Sequence, residues 1–227
     1  MTVGGIKIEV IKKKIKNLHL YVLPPDGRVR VTAPKSVKDQ VVKAFIVSKI
    51  DWIKKQQEKT REAPRAKEVD YVSGDVLNLW GISFYIEVRK SNSRSDVLID
   101  GDRVYLHVRE GSDRTQRETI INNWYREQMK YEIPTLLDKW QLVMGVNVSY
   151  WGIKNMKTRW GTCNFRDKRI WLNLQLAKKD IKFLEYVVVH ELAHLIVNNH
   201  SKAFKDVLDK FLPNWRTVKG ELNGKLS

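Results

Sequence analysis

Cysteine is nearly absent from this 227-residue chain, which contains Cys163 alone. A single cysteine excludes an internal disulfide and a CxxC redox or zinc-ribbon motif. The chain also lacks an apolar run near the roughly 18 residues that a membrane helix needs. Its first residues alternate apolar and basic side chains, without the apolar stretch of a signal peptide. These absences predict a cytoplasmic protein with no membrane partner.

Acidic residues are scarce relative to basic ones: 26 Asp and Glu face 42 Lys and Arg, for a net charge of +16. Residues 1–70 contribute 17 basic and 8 acidic side chains to this excess. Such a surface either keeps the protein soluble or attracts nucleic acid and other anions. The basic N-terminal half is therefore a candidate for nucleic-acid contact, and the solubilising alternative stays open.

The hydropathy pattern predicts an α+β fold in two parts. Residues 1–111 are expected to form a β-rich region, since runs of alternating hydrophobicity flank a Pro-Asp-Gly turn at 24–27. One helix is expected over 36–60, followed by a polar connector at 60–68. Three later strand-like runs resemble the first ones in style, but no residue-level repeat is visible.

Residues 112–227 are expected to form a largely helical domain that contains a small antiparallel sheet. A long helical pattern begins at Ser112, and Pro134 is expected to kink or break it. Helical spacing also predicts helices over 180–199 and 201–211.

The motif His-Glu-Leu-Ala-His at 190–194 is the strongest functional signal. On a helix, His190 and His194 project from one face, about one turn apart, where both imidazoles can bind Zn²⁺. Glu191 would lie near a water molecule activated by the ion and could act as general base. Because the surrounding helix is almost wholly apolar, the buried polar groups need partners, and a metal supplies them.

A catalytic zinc site usually has three protein ligands. His200 is the preferred third ligand, because Asn198 and Asn199 tolerate left-handed backbone and could end the helix there. A carboxylate from the next helix, Asp206 or Asp209, is the alternative. The spacing of His200 is that of metzincin proteases, but their glycine and methionine turn are missing, so we do not assign that group.

A second segment, KTRWGTC at 157–163, has strand character. A strand beside the motif helix could offer its edge to an extended substrate, and Gly161 would allow a close backbone approach. Arg159 and Trp160 could then shape the substrate cleft. The alternative is a core hairpin with a buried tryptophan. We expect Cys163 to be a small buried thiol rather than a ligand.

In combination, RWGTC, RIWLNLQLAKKD, the His-Glu-Leu-Ala-His helix and the later Asn-His-Ser closely resemble the YgjP-like metal-dependent hydrolase family, a relative of zinc metallopeptidases. LHLYVLPPDGRVRVTAP and KIDWIKKQ resemble the amino-terminal half of that family. The resemblance implies a zincin-like domain with His190, His194 and His200 as ligands and Glu191 as catalyst. Departures are small: Thr162 replaces a common serine, and the tryptophan that often follows Phe204 is missing.

Three functions remain in competition at this point. The first is a metallopeptidase that uses Zn²⁺, or another divalent metal, on a peptide or protein substrate. The second is a metal-dependent nucleoside triphosphate pyrophosphohydrolase, an activity also associated with the family that the chain resembles. The third is a nucleic-acid-associated module in which the zinc is structural, which would require a fourth protein ligand.

Overall fold

A four-stranded sheet covered by two helices forms the first part of the protein. The computed structural model describes residues 1–23, 26–62, 69–92 and 94–224. The strand order is β1-β2-β4-β3, with β2 and β4 parallel and the other pairs antiparallel. These elements are β1 (Thr2–Val3), β2 (Ile6–Lys13), β3 (His19–Leu23), β4 (Arg28–Pro34), α1 (Asp39–Val47) and α2 (Ile50–Glu62). Pro24 and Pro25 of the predicted turn, and residues 63–68 of the predicted connector, lie outside the described residues.

The region predicted as a single helix over 36–60 forms two helices, because the first helix ends at Ser48. The Ser48 hydroxyl donates a hydrogen bond to the carbonyl oxygen of Phe45 at 2.8 Å. A serine that bonds its own backbone in this way competes with helix continuation. Apolar side chains from both helices, Ile46 and Ile53, are nevertheless fully buried in one core with the sheet.

A second four-stranded sheet repeats the topology of the first. Its order is β5-β6-β8-β7, again with the two central strands parallel and the flanking pairs antiparallel. Its strands are β5 (Val76–Leu79), β6 (Ile82–Lys90), β7 (Asp96–Asp100) and β8 (Arg103–Val108). Since the same four-strand arrangement occurs twice, the first half of the chain contains an internal structural repeat.

The strand register shows which residues are identical in the two copies of the repeat. In the first sheet Ile8 pairs with Val29, and in the second Ile86 pairs with Val104. When these pairs are superimposed, Ile-Glu-Val at 8–10 matches Ile-Glu-Val at 86–88. Each paired valine also follows an arginine, Arg28 in the first sheet and Arg103 in the second. The sequence comparison missed this repeat because the matching stretch is only three residues long.

The remainder of the chain surrounds one long helix. This helix, α3 (Arg114–Met144), continues past Pro134, so the proline does not break it. The packing of its buried face outweighs the hydrogen bond that proline removes. The buried side chains recur every three or four residues: Ile121, Tyr125, Met129, Ile133, Leu137, Trp140 and Met144. None of the helices in the described ranges combines the length and apolar character that crossing a bilayer requires.

A three-stranded sheet and three shorter helices complete the fold. The sheet has the order β10-β11-β9 and is mixed rather than antiparallel, because β9 and β11 run parallel. A 3₁₀ turn at Leu174–Lys178 connects it to the helices. The elements are β9 (Tyr150–Lys154), β10 (Gly161–Asn164), β11 (Arg169–Asn173), α4 (Ile181–Ile196), α5 (Lys202–Phe211) and α6 (Trp215–Leu222). The predicted α+β class is confirmed.

The chain divides into two compact units, Met1–Glu68 and Val69–Ser227, so the boundary suggested at residue 112 falls inside the second unit. Hydrogen bonds explain why the second sheet belongs with the helices. The Tyr125 hydroxyl on α3 donates to the carbonyl oxygen of Asn78 at 2.7 Å. The Trp80 amide donates to the carbonyl oxygen of Ala177 at 2.9 Å.

We expect Tyr125→Phe to lower the free energy of unfolding of the second unit by about 1–2 kcal/mol. The change removes one buried hydrogen bond and leaves the Asn78 carbonyl without its donor. Urea denaturation monitored by circular dichroism measures the effect. Tyr131→Phe is the matched control, because Tyr131 lies on the same helix and is 81% exposed. Equal stability of the two variants would contradict the structural role given to this bond.

Candidate metal centre and active-site cleft

Helix α4 carries the central motif through the core of the second unit. The Asp180 side chain caps it by accepting a hydrogen bond from the Lys182 amide at 2.9 Å. Gly81, in the turn between β5 and β6, lies against the backbone of Asp180, so the second sheet supports the start of the helix. Nine side chains of α4 are buried, and Glu191 is among them at 3% exposure.

The structure brings His190, His194 and His200 together. Their nearest ring nitrogens all lie within 4.8 Å of one another, and the Nε2 atoms of His190 and His200 are 3.1 Å apart. His190 and His194 come from successive turns of α4, as the spacing predicted. His200 comes from the segment between α4 and α5, where the helix has already ended.

The helix ends differently from the prediction. We expected left-handed backbone at Asn198 or Asn199, but neither has a positive φ. Instead, Val197 leaves the helix in an extended conformation, with φ of −134°. The Asn199 side chain then accepts a hydrogen bond from the Ser201 amide at 3.1 Å, which shapes the turn that presents His200.

The two carboxylates considered as alternative ligands are occupied elsewhere. Asp206 forms an ion pair with Lys202 at 3.0 Å. Asp209 accepts hydrogen bonds from Trp215 Nε1 at 2.7 Å and from the Arg216 guanidinium. Neither belongs to the histidine cluster, which is the one group of this kind among the described residues.

The chemistry of the donor set fits a divalent metal. Burial, and then the neighbouring histidines, lower the pKa of His190 to about 3, and burial also lowers that of His194. Both imidazoles are therefore favoured in the neutral form that binds metals. Two facing Nε2 atoms at 3.1 Å can share at most one proton, whereas a cation would accept both lone pairs. His190 Nδ1 is buried and finds no hydrogen-bond partner in the described chain.

One aromatic ring contacts the entire cluster. Phe204 on α5 has its ring centre 5.0 Å from that of His190, 4.6 Å from His194 and 4.8 Å from His200. The ring packs against all three imidazoles, and such close packing restricts the rotation of their side chains.

Glu191 occupies the floor of a cleft of about 210 Å³ next to the cluster. Burial raises the pKa of Glu191 to about 8, and the positive charge of Arg159 opposes this rise. Gly161 on β10 lies directly against the carboxyl group: a Cβ atom at this position would be 2.5 Å from Glu191 Oε1. Only glycine therefore permits the observed approach of β10 to α4.

The other predicted cleft residues lie around Glu191 with different exposures. Trp160 lines the cleft, and its Nε1 points toward Asn223 Oδ1 at 3.4 Å. Arg159 is exposed, and its backbone carbonyl accepts a hydrogen bond from Asn173 Nδ2 at 2.6 Å. Cys163 is outside the histidine cluster, and burial raises the pKa of its thiol to about 11.

Sequence reasoning missed four polar residues around this cleft. Tyr186, Lys219 and Asn223 line it alongside the predicted residues. Tyr186 precedes His190 by one helical turn, and this spacing was a signal that could have revealed it. Lys219 and Asn223 belong to the α6 region, which carries no motif. The fourth residue, Asn173, is buried and binds the backbone of both Met156 and Arg159, thereby fixing the segment before β10.

Comparison with known proteins identifies the family. A family model described as "YgjP-like, metallopeptidase domain" matches residues 16–225. No curated protein matches the chain. Among solved structures, the abylysin metallopeptidase zymogen of Pyrococcus abyssi is 22% identical, with 41% of this chain and 94% of that chain covered and a TM-score of 0.38. The jannalysin metallopeptidase zymogen of Methanocaldococcus jannaschii is 24% identical, with 42% and 98% covered and a TM-score of 0.37. The match of the family model over nearly the whole chain shows that it belongs to the YgjP-like metallopeptidase family.

Proposed function

We propose that this protein is a zinc-dependent metallopeptidase. The observation that carries the proposal is the convergence of three histidine nitrogens within 4.8 Å, beside a buried glutamate that faces the same cleft. His190, His194 and His200 would hold the ion, and Glu191 would serve as general base. Family membership supports this assignment, since the matching family model describes a metallopeptidase domain.

The histidines and Glu191 would have separate roles in the reaction. A zinc ion held by the three histidines would supply Lewis-acid polarisation and lower the pKa of water toward neutrality. In its ionised form, which a nearby cation would favour, Glu191 would take a proton from the attacking water and later deliver it to the departing amine. The carboxyl group is free for this role, because it forms no hydrogen bond to another residue in the described part of the chain. Its burial excludes bulk water from the proton's path.

Strand β10 would align the peptide. It is an edge strand, since the sheet order is β10-β11-β9, and one of its sides therefore offers unpaired backbone groups. An extended substrate can add to such an edge as a further strand. Gly161 brings this edge against Glu191, while Arg159 and Trp160 precede it and would contact the substrate side chains.

A second candidate is hydrolysis of a nucleoside triphosphate at the same site. The observation in its favour is the Lys219 side chain, which lines the cleft beside His190 and His200. Together with Arg159, it would place two cations near a phosphoanhydride. The structural-zinc alternative is less well supported, because a structural site is closed by four protein ligands. The described residues group three ligands around an accessible cleft.

We expect Glu191→Gln to lower turnover of a peptide library at least about 100-fold, since it removes the general base. Bound zinc, measured by atomic emission on the purified protein, should remain at the parent level. Glu185→Gln is the matched control on the same helix, because Glu185 accepts hydrogen bonds from Lys139 and Trp140 outside the cleft. The same variants assayed for phosphate release from the four ribonucleoside triphosphates would discriminate the second candidate. Full peptide turnover by Glu191→Gln would refute the proposed role of Glu191.

We expect His200→Ala to lose bound zinc and activity together, because two histidines alone form a weaker site. Metal content after dialysis against zinc-containing buffer gives the direct measurement. His107→Ala serves as the control histidine, since His107 pairs with Asp96 on the second sheet, away from the cluster. Retention of zinc by His200→Ala at the parent level would assign the third ligand elsewhere.

We expect Gly161→Ala to lower kcat/KM sharply while leaving the zinc content intact. The added methyl group would displace the Glu191 carboxyl group or push β10 away from α4, and none of the three histidines is among its nearest neighbours. Thr162→Ala, the adjacent substitution on β10, controls for general effects on the strand. Thermal unfolding of both variants separates a displaced base from a destabilised fold, and unchanged kcat/KM in Gly161→Ala would contradict the close approach described above.

A further inference from the structure

The small mixed sheet has an exposed face that the hydrolytic cleft does not use. Trp171 on β11 pairs in register with Gly152 on β9 and Thr162 on β10, so these three positions share a face. The neighbouring Ile170 and Leu172 point the other way and are fully buried. A Cβ atom at Gly152 would overlap the Trp171 indole, which shows that the indole lies flat across the glycine.

Aromatic and cationic groups alternate on this face. The ring centres of Tyr150 and Trp171 are 5.4 Å apart, and Tyr150 is 50% exposed. The Lys154 ammonium lies 3.6 Å from the centre of the Trp171 ring. A cavity of about 480 Å³ is lined by both aromatic residues, by Arg126 and Lys130 of α3, and by other residues of β9.

Most of the cations here have no carboxylate partner. Lys130 forms an ion pair with Glu127 at 2.8 Å. Arg126 donates to the neutral amide of Asn123, and no ion pair of Arg126, Lys154 or Arg169 is found within the described ranges. Arg169 lines a pocket that adjoins Tyr150 and Trp171. The face therefore presents uncompensated positive charge around one exposed ring, Tyr150, and one partly buried ring, Trp171.

We propose that this face binds single-stranded nucleic acid. Exposed aromatic rings stack on unpaired bases of any sequence, and the surrounding cations contact the phosphates. A duplex would hide the base faces that the rings need. An acidic peptide would satisfy the cations and leave the rings without a role. Since Trp171 and Gly161 lie on opposite faces of the sheet, a bound strand would leave the hydrolytic cleft open, and the inference is independent of the proposed peptidase activity.

This location differs from the one expected from charge distribution alone. The basic N-terminal half also has an exposed aromatic residue, Tyr21, on its first sheet. The nearby Arg28 and Arg30 are, however, paired with the carboxylates of Asp26 and Glu9, at 2.6 and 2.7 Å. Their charges are therefore compensated, whereas those beside Trp171 are not.

Fluorescence anisotropy with the full-length protein tests the proposal. The probes are fluorescein-labelled oligodeoxythymidylate and oligouridylate of about 15 nucleotides, within the site sizes of known single-strand binders. We expect Tyr150→Ala to weaken binding about tenfold, because one stacking platform is lost. We expect the double variant Lys154→Ala/Arg169→Ala to reduce the slope of log K against log salt by about 1.4, as two phosphate contacts disappear.

Tyr21→Ala is the matched control, because it removes an exposed tyrosine from a sheet of the other unit and should leave binding unchanged. Circular dichroism of every variant excludes misfolding, and Tyr150 is exposed enough to be replaced safely. Four results would overturn the proposal: no binding of either probe, equally tight binding of a duplex of the same length, unaltered affinity in Tyr150→Ala, or a loss of affinity in Tyr21→Ala. Comparison of the two probes shows whether DNA, RNA or both are bound.

Discussion

The contact between the backbone of β10 and the carboxyl group of Glu191 is the constraint around which the second unit is arranged. It requires glycine at position 161, and it sets the distance between the small sheet and α4. Asn173 holds the segment before β10 through its hydrogen bonds to the backbone of Met156 and Arg159. These bonds fix the position at which the strand begins. The turn at Gly81 supports the start of α4 from the other end. Helix, strand and second sheet thus all contribute to the position of one buried acid.

The sequence predicted the parts of the site that follow from helical periodicity. His190, Glu191 and His194 lie within one apolar helix, and their relative placement is a property of 3.6 residues per turn. His200 could be predicted to lie near the other two histidines, because the helix has to end before it. The helix ends at Val197, which is extended, and not at an asparagine. Local patterns failed where tertiary packing decides. The α3 helix passes Pro134 because its buried face continues on both sides, and α1 ends at Ser48 through a side-chain bond that hydropathy does not show.

Local sequence patterns could not predict which residues, distant in the sequence, the fold brings together. Lys219 and Asn223 line the cleft from the α6 region, about thirty residues after Glu191 in the sequence, and no motif near them indicates this position. The repeated sheet is a similar case. Its two copies retain Ile-Glu-Val at equivalent register positions, but the strand pairs had to be known before those positions could be matched. The compact units divide at residues 68 and 69 and not at residue 112, and one physical reason is that the second copy is bonded to α3 through Tyr125.

The placement of Phe204 has a consequence for how the three histidines would bind an ion. One ring touching three imidazoles restricts the side-chain rotations that a flexible chelator would lose upon binding. Much of the side-chain conformational entropy would therefore be lost when the protein folds, and little more would be lost when an ion binds. The three imidazoles would then act as a preorganised ligand, as the donors of a macrocycle do, and not as three independent side chains. Its selectivity among divalent ions would then depend on the size of a preset opening, as well as on the intrinsic preference of imidazole nitrogen.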